Sequence, residues 1–413
     1  MSSVPGFNRI IVVGAGPSGL LLTLLLVQNG IDVTLLDQQS DLDTNPRATH
    51  YAAPAMFELN RAGVGDDLRA RGFLPAGVSW RNIDGEILAS LDANVLGDDP
   101  DRMTCLPLDQ LGQILKEHVA KQDKAKVLFH HKVISLGQDD QEAWVVVDTP
   151  NGKHTFKADY IVGCDGANSQ IRKSLFGDWE FPGKTWDQQI VATNTYYDFD
   201  KYGWNDSNFI VHPEHWFMAA RITKDGLWRV TYGEKAGLSP EELIARQPEK
   251  FRQMLPGHPG PDGYKIKNFS PYKVHQRLAK SMRVGRFLLA ADAAHLCNPF
   301  GGMGLTGGIV DVGNLFDCLK GIYDNKADPT ILDKYSAIRR EKYLDIVDPI
   351  SSANLTRLFE LDPARAVELD PFFQMAQKAS TDEKFSRELQ NHVKNLQHDF
   401  TQYYSSGEEA EIH

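Results

Sequence analysis

The sequence predicts an α/β fold: a doubly wound, Rossmann-like nucleotide-binding domain, interrupted by an inserted antiparallel β-sheet and followed by a helical C-terminal segment. Three observations carry that prediction. A β-branched run leads straight into Gly14-x-Gly16-x-x-Gly19, and a second apolar run far downstream ends at Asp165-Gly166. A third, Phe287-Leu288-Leu289-Ala290, ends beside Asp292 and opens into a loop holding Gly301, Gly302, Gly304, Gly307 and Gly308. Each puts a glycine or a carboxylate at the carboxyl end of a strand, where open α/β sheets bind ligands.

Residues 9–13 (RIIVV) form the first expected strand, residues 20–28 an almost wholly apolar helix ended by Asn29-Gly30, and residues 31–36 a second strand finishing at Asp37. The order strand, GxGxxG, helix, strand, acid is the dinucleotide-binding fingerprint. Gly14 makes the tight turn, Gly16 lets the backbone approach a pyrophosphate, and Gly19 lets helix and strand pack closely. Asp37 stands where a carboxylate accepts hydrogen bonds from both ribose hydroxyls. It disfavours a phosphorylated ribose there, so the expected nucleotide is FAD or NAD rather than NADP. Arg47 is a phosphate partner or a surface charge.

Residues 48–72 read as a loop and helices covering the nucleotide, and 106–119 as an amphipathic helix. Between 126 and 156 short strands alternate with turn signals, a β-meander. The strand ending at Asp165 leads to Ser169 and Arg172, one helical turn apart; a tight turn and an N-cap account for Gly166 and Ser169 but not for the carboxylate. Aromatic-rich strands follow at 191–197, 209–211, 216–222 and 227–232, then a helix over 239–255. A Gly/Pro-rich loop at 256–263 returns the chain to the third motif. There Ile309, Val312, Leu315, Phe316 and Leu319 recur at helical spacing. Glycines so dense before a helix either turn sharply or cradle a planar or anionic group, and the two upstream motifs favour the cradle. The expected division is 1–80, 101–180 and 280–360 for the nucleotide-binding domain, 81–100 and 181–279 for the inserted sheet, and 361–413 for the helical C-terminal segment.

The chain has 413 residues, 42% hydrophobic and 24% charged, the composition of a soluble globular protein. Its net charge of -11 argues against nucleic acid and against an anionic membrane surface. Cys105, Cys164, Cys297 and Cys318 are widely spaced without a CxxC pair, so neither a disulfide framework nor a metal site is expected. With no targeting segment or membrane anchor in view, the expected location is cytoplasmic.

Together the three motifs resemble the class A single-component flavoprotein monooxygenases, the FAD-dependent aromatic hydroxylases typified by 4-hydroxybenzoate hydroxylase. The resemblance covers roughly the first four-fifths of the chain, and GGMGLTGGIVDVGNL is similar to fungal secondary-metabolism members. It implies that Gly14, Gly16, Gly19 and Asp37 hold the adenosine half of FAD, Arg47 its pyrophosphate and Asp292 its ribityl chain. Pro299 and the loop through Gly301, Gly304, Leu305 and Thr306 would line the isoalloxazine. Asp165 and Arg172 would serve both FAD and a transient NADPH or NADH. Two departures stand out: Ala291-Asp292 where the family usually has Gly-Asp, and Leu108 where a Gln or Arg often meets the flavin phosphates.

The implied reaction is reduction of the flavin by NADPH or NADH, addition of O2 at C4a, and transfer of a hydroxyl from the hydroperoxide to a small phenolic or aromatic substrate. The same scaffold also serves epoxidation of an alkene, prenyl or indole substrate, or oxidative decarboxylation or dearomatisation of a phenolic acid. The oligomeric state is open, a homodimer included. In the inserted sheet Trp228, Val230 and Tyr232 share a face, as do Phe217, Ala219 and Arg221. Tyr232 is a candidate hydrogen-bond partner for a substrate phenol and Arg221 for a substrate oxyanion, against sheet packing and a surface ion pair. His212 and His215 belong to an exposed turn, and His295 to a structural hydrogen bond.

Overall fold

The computed structural model describes residues 6–45 and 48–405. Among them the core sheet runs in the order Arg283–Val284, Phe287–Leu289, Tyr160–Gly163, Arg9–Val13, Asp32–Leu36, Ala125–Leu128. Its pairings are parallel except for the antiparallel edge strand Arg283–Val284. Ile10 to Val13 are buried, and the helix Pro17–Gln28 is buried at every position from Gly19 to Val27. That helix lies between the sheet and the helices Leu108–Val119 and Met303–Tyr323, which is why its sequence is apolar all round rather than striped. Each buried leucine there contributes about 1.5–3 kcal/mol.

The helix Met303–Tyr323 starts six residues before Ile309, so Gly304, Gly307 and Gly308 belong to its first turns rather than to a loop. Small residues let it lie against neighbouring chain: a Cβ on Gly308 would stand 2.7 Å from the Cβ of Ala291, and one on Gly313 2.1 Å from the carboxyl carbon of Glu58. The meander is also shorter than its alternating pattern suggests. Lys132–Gln138, Ala143–Thr149 and Gly152–Ala158 form it, whereas Ala125–Leu128 pairs in parallel with Asp32–Leu36 and joins the core sheet.

A second, eight-stranded sheet runs His295–Leu296, Lys265–Leu278, Gly183–Tyr196, Leu227–Glu234, Phe217–Arg221, Ser207–Ile210, Gly77–Arg81, Ile87–Asp92. It includes a long strand, Lys265–Leu278, directly after the loop at 256–263, where the sequence reading placed no element. Helix Pro240–Met254, fixed at its start by a Ser239/Glu242 capping box, covers one face through Leu243, Phe251 and Met254. Phe300 and the C-terminal residues Leu355, Leu358, Phe373 and Ala376 cover part of the other, with Trp80, Ile190 and Trp216. No helix among the described residues is long and apolar enough to cross a membrane.

Candidate active site

The three sequence motifs leave adjacent strands at the same end of the core sheet. Val13, Gly163 and Leu289 are register partners across these strands. Backbone bonds tie the exits together: Cys164 N–H donates to Val13 O at 2.8 Å and Ala290 N–H to Gly163 O at 3.1 Å. Gly14 turns with φ +106°, and a Cβ there would stand 2.3 Å from the Cys164 carbonyl oxygen. A Cβ on Gly16 would meet nothing within 4 Å, so this backbone borders open space. Asp37 accepts the Ala15 N–H at 2.6 Å and the Gln39 N–H at 2.7 Å, which fixes its carboxylate at the rim.

Across the cleft, Asp292 is exposed between buried Ala291 and Ala293. Ala291 has φ +56°, the left-handed region that glycine enters freely, and its N–H is held by Asp311 Oδ2 at 3.0 Å. Thr306 Oγ1 is buried with no hydrogen-bond partner among the described residues. Asn298 caps the turn at Pro299 by accepting the Phe300 N–H at 3.0 Å, and its own N–H donates to Gln276 Oε1 at 3.0 Å. Pro299 is half-buried and Gly301 lies against the helix Asp348–Glu360, with its nearest neighbour Asn354. Leu305 is half-buried against the main core. Arg47 lies outside the described residues.

Asp165 and Arg172 are engaged with the protein itself. Asp165 accepts from Ser169 Oγ at 2.5 Å, Gln170 N–H at 2.7 Å and Ile171 N–H at 3.1 Å, and burial pushes its carboxyl up despite these bonds. Arg172 is buried, donates to Ala293 O at 3.0 Å and Ala167 O at 2.8 Å, and lies 3.7 Å from the centre of the Phe181 ring. It thus ties the second motif to the segment that carries Asp292. Behind that segment, buried Asp311 bonds His295 Nε2 at 2.6 Å and Arg339 Nε at 2.7 Å. Burial opposes its charge, but His295 and Arg339 outweigh burial and hold the carboxyl below its usual range. His295 therefore makes a structural hydrogen bond.

The eight-stranded sheet presents its second face to the glycine segment. Cross-strand partners form rows there: Tyr272 and Ile190 with Gly233; Ser270, Ala192, Thr231 and Met218; Asn268, Asn194, Arg229, Ala220 and Ser207. At the first row Gly233 makes room for the Trp216 ring, which meets Phe300 edge-on at 5.4 Å. At the last, Ser207 Oγ reaches His50 Nε2 at 3.1 Å, while His50 Nδ1 bonds Thr49 Oγ1 at 2.7 Å. The two rows are four residues, about 13 Å, apart.

Tyr272 is 38% exposed, and burial pushes its phenol up to about 12 with Arg229 opposing. Its hydroxyl bonds no described residue. Desolvation pushes the His50 imidazole down to about 4, with Asp206 opposing and Arg229 assisting, so it is neutral near pH 7. Arg229 donates to Asn194 Oδ1 from Nε at 3.1 Å and from Nη2 at 2.9 Å. One fixed positive charge, neutral donors and an aromatic end wall can hold and orient a planar ring bearing oxygen.

Neither Tyr232 nor Arg221 lies on this face. They share the opposite face with Trp228 and Phe217. Tyr232 is fully buried against Phe251 under the helix Pro240–Met254, and its hydroxyl has no partner among the described residues. Arg221 is paired with Asp200 and, at 2.8 Å, with Asp206, and stacks 4.7 Å from the Trp228 ring. The strand alternation groups these residues as the sequence suggests, but alternation cannot say which side a covering helix takes. His212 accepts the N–H groups of Glu214 and His215 and closes a turn. Tyr272, Arg229, Asn194, His50 and Ser207 carried no sequence signal. Among the described residues no cluster of His, Cys, Asp or Glu could hold a metal ion.

Residues 8–349 match the model of a family described as FAD binding domain. The chain is 37% identical over 384 residues to para-nitrophenol 4-monooxygenase of Pseudomonas sp. (strain WBC-3), covering 92% of this chain and 94% of that one. To 6-hydroxy-3-succinoylpyridine 3-monooxygenase HspB of Pseudomonas putida (strain DSM 28022 / S16) it is 36% identical over 358 residues, covering 86% and 90%. The crystal structure of p-nitrophenol 4-monooxygenase PnpA from Pseudomonas putida DLL-E4 superimposes with a TM-score of 0.88 at 36% identity, over 96% of this chain and 99% of that one.

Proposed function

The chain belongs to the FAD binding domain family, and on that premise we propose that it inserts one oxygen atom of O2 into a small ring-hydroxylated aromatic compound at the expense of NADPH or NADH. It is a flavin-dependent monooxygenase of the aromatic hydroxylase type. In both relatives' names the oxygenated position lies across the ring from the hydroxyl and already carries the nitro or succinoyl group. We place oxygen insertion by this chain at the carbon para to a ring hydroxyl.

The cleft fits FAD on its own features. Open space at Gly16 suits a pyrophosphate, the exposed Asp292 a ribityl chain, and the orphaned Thr306 hydroxyl at the start of the long helix an isoalloxazine edge. Gly14, Gly16, Gly19 and Asp37 would hold the adenosine half; Pro299, Gly301, Gly304, Leu305 and Thr306 would hold the ring system. FAD supplies, when bound, the acceptance of a hydride from the nicotinamide and the activation of O2. The remaining tasks fall to this chain. Phe300 and Trp216 close the recess against water at one end, and Tyr272, Arg229 and the His50–Ser207 pair orient a ring oxygen at the other. Arg172 and Asp165 act by holding the Asp292 segment in place. The net charge of -11 and four cysteines without a CxxC pair support a cytosolic location.

The observation that carries this reading is the convergence of Gly16, Asp165 and Asp292 on one end of three adjacent strands, with Tyr272 and Arg229 on the sheet face turned toward the glycine segment. The test is a screen of 4-nitrophenol, hydroxypyridines and other phenols with the FAD-loaded protein for stimulated NAD(P)H oxidation, with matched O2 uptake and a product heavier by one oxygen or lacking its para substituent. Turnover of NAD(P)H with a reduced product and no O2 uptake would overturn it in favour of a reductase.

A further inference from the structure

We propose, resting on the reading above, that Gln276 is a positioning residue: from the strand that carries Tyr272 it holds the turn Pro299–Gly301 in place under the flavin, and so ties the inserted sheet to the cofactor. Tyr272, Val274 and Gln276 alternate along the strand Lys265–Leu278, so their side chains share a face. Val274 packs in one cluster with Phe300 and Trp216, and Gln276, 3% exposed, follows it toward the end of the strand. There Gln276 Oε1 accepts the Asn298 N–H at 3.0 Å, while Asn298 Oδ1 accepts the Phe300 N–H at 3.0 Å and caps the turn. From the other side Gln276 Nε2 donates to Ser351 Oγ at 2.6 Å, and Ser351 Oγ donates to the Val347 carbonyl at 2.6 Å. Asn298 and Ser351 are both fully buried.

The proton order along these bonds is set by the groups at the two ends. A backbone N–H only donates and a backbone carbonyl only accepts. The Asn298 N–H therefore fixes which end of the Gln276 amide faces it. Ser351 gives its single proton to a helix carbonyl, Val347 at 2.6 Å ahead of Asp348 at 3.2 Å, and accepts from Gln276. The Cys297 thiol, next to Asn298, also lies within reach of Ser351. A buried network with every member satisfied specifies one geometry. This one joins a strand of the inserted sheet, the turn at Pro299 and the helix Asp348–Glu360. Val347 itself closes a π-helical stretch, Tyr343–Val347, a departure frequent at functional sites. At the far end of the turn Gly302 has φ +62° and opens the helix Met303–Tyr323, so the bonds at Asn298 also settle where that helix starts. Its first N–H groups favour negative charge, and moving the turn moves them relative to the ring system assigned above to Pro299, Gly301, Gly304, Leu305 and Thr306. One amide thus keeps the substrate-facing strand and the cofactor-facing turn at a fixed separation, where a misplacement of about 1 Å can cost about 100-fold in rate.

The experiment compares the FAD-loaded full chain with Gln276→Met, which keeps the length of the side chain and loses its hydrogen bonds, and with Ser351→Ala. The midpoint potential of the bound flavin is read against a redox dye with no substrate present. Gln276→Met should weaken the hold on the reduced, more negative cofactor about tenfold, a fall of about 30 mV for a two-electron couple, with FAD still retained on gel filtration. With NADPH and 4-nitrophenol, kcat for product should fall about 10- to 100-fold at an unchanged dissociation constant for the phenol. Ser351→Ala leaves the bond from Asn298 to Gln276 in place and should shift both readings less. The double variant should be no worse than Gln276→Met alone, because Ser351 acts only through Gln276. An unchanged potential in Gln276→Met overturns the proposal whatever its activity, as does a double variant whose effects simply add. If Gln276→Met does not accumulate, the potential of Ser351→Ala decides by the same criterion. Failure of the unsubstituted chain to consume O2 with any hydroxyarene sinks the assigned reaction instead, and the potentials still decide the role of Gln276.

Discussion

Two tyrosines on opposite faces of one sheet give the sharpest test of which face is reactive. The paired perturbations are Tyr272→Phe and Tyr232→Phe, each removing a single hydroxyl. Tyr272 lies on the face proposed for the substrate and its hydroxyl bonds no described residue, so its loss should remove one hydrogen bond to the ligand, about 0.5–1.5 kcal/mol. That weakens substrate binding roughly 2- to 13-fold with unchanged FAD retention. Tyr232 is fully buried and its hydroxyl has no partner among the described residues. Removing it recovers part of a desolvation penalty of about 1–3 kcal/mol, so Tyr232→Phe should bind substrate normally and unfold at the same or a higher temperature. Ligand-induced changes in flavin absorbance give the dissociation constants, and thermal melts give stability. Loss of affinity in Tyr232→Phe equal to that in Tyr272→Phe would refute the assignment of faces.

Gly16→Val places its branched side chain where a Cβ meets nothing; the protein should fold with stability within about 0.5 kcal/mol of the original but lose FAD on gel filtration. Ala291→Gly relieves a left-handed residue, φ +56°, and should stabilise by about 1 kcal/mol, read as a higher denaturant midpoint. Asp311→Asn leaves the buried Arg339 guanidinium without its carboxylate and should cost about 3–5 kcal/mol in the same assay. Glu58, buried beside Arg61, has its carboxyl pushed from 4.5 up to about 7 by burial, with Arg61 opposing. The folded state therefore favours the protonated form, and its stability should fall as pH rises from 4.5 through 7, by up to about 3 kcal/mol. Glu58→Gln should flatten that dependence in denaturant titrations across this range.

What was legible in the sequence was local. The strand, glycine turn, helix and acid around Gly14 and Asp37 are neighbours in the chain, and each glycine keeps a separable task in the structure: turn at Gly14, open approach at Gly16, close packing at Gly19, where a Cβ would stand 1.9 Å from the Gly14 carbonyl. Ala291 departs from the expected glycine, and its positive φ shows what that glycine is for. What was not legible was non-local. Lys265–Leu278 is broken by Pro271 and loaded with lysines, and its burial does not alternate cleanly, so no strand was visible there and Tyr272 went with it. Pro271 is tolerated because the neighbouring strand His295–Leu296 pairs only with Arg277 and Leu278, leaving an open edge. Tyr232 and Arg221 were grouped on the right strands, but the covering helix Pro240–Met254 decides which face is sealed. The bond from Arg172 to the Ala293 carbonyl, a partner 121 residues away, was equally out of reach of the sequence.

A crystal structure of the chain loaded with FAD and a slowly turned-over hydroxyarene tests the central claim most directly. The ring should lie over the row Ala192–Thr231, between Phe300 and Arg229, with its oxygen within hydrogen-bond reach of Arg229 or Tyr272. Density for the ring beneath the helix Pro240–Met254, beside Tyr232, would contradict it.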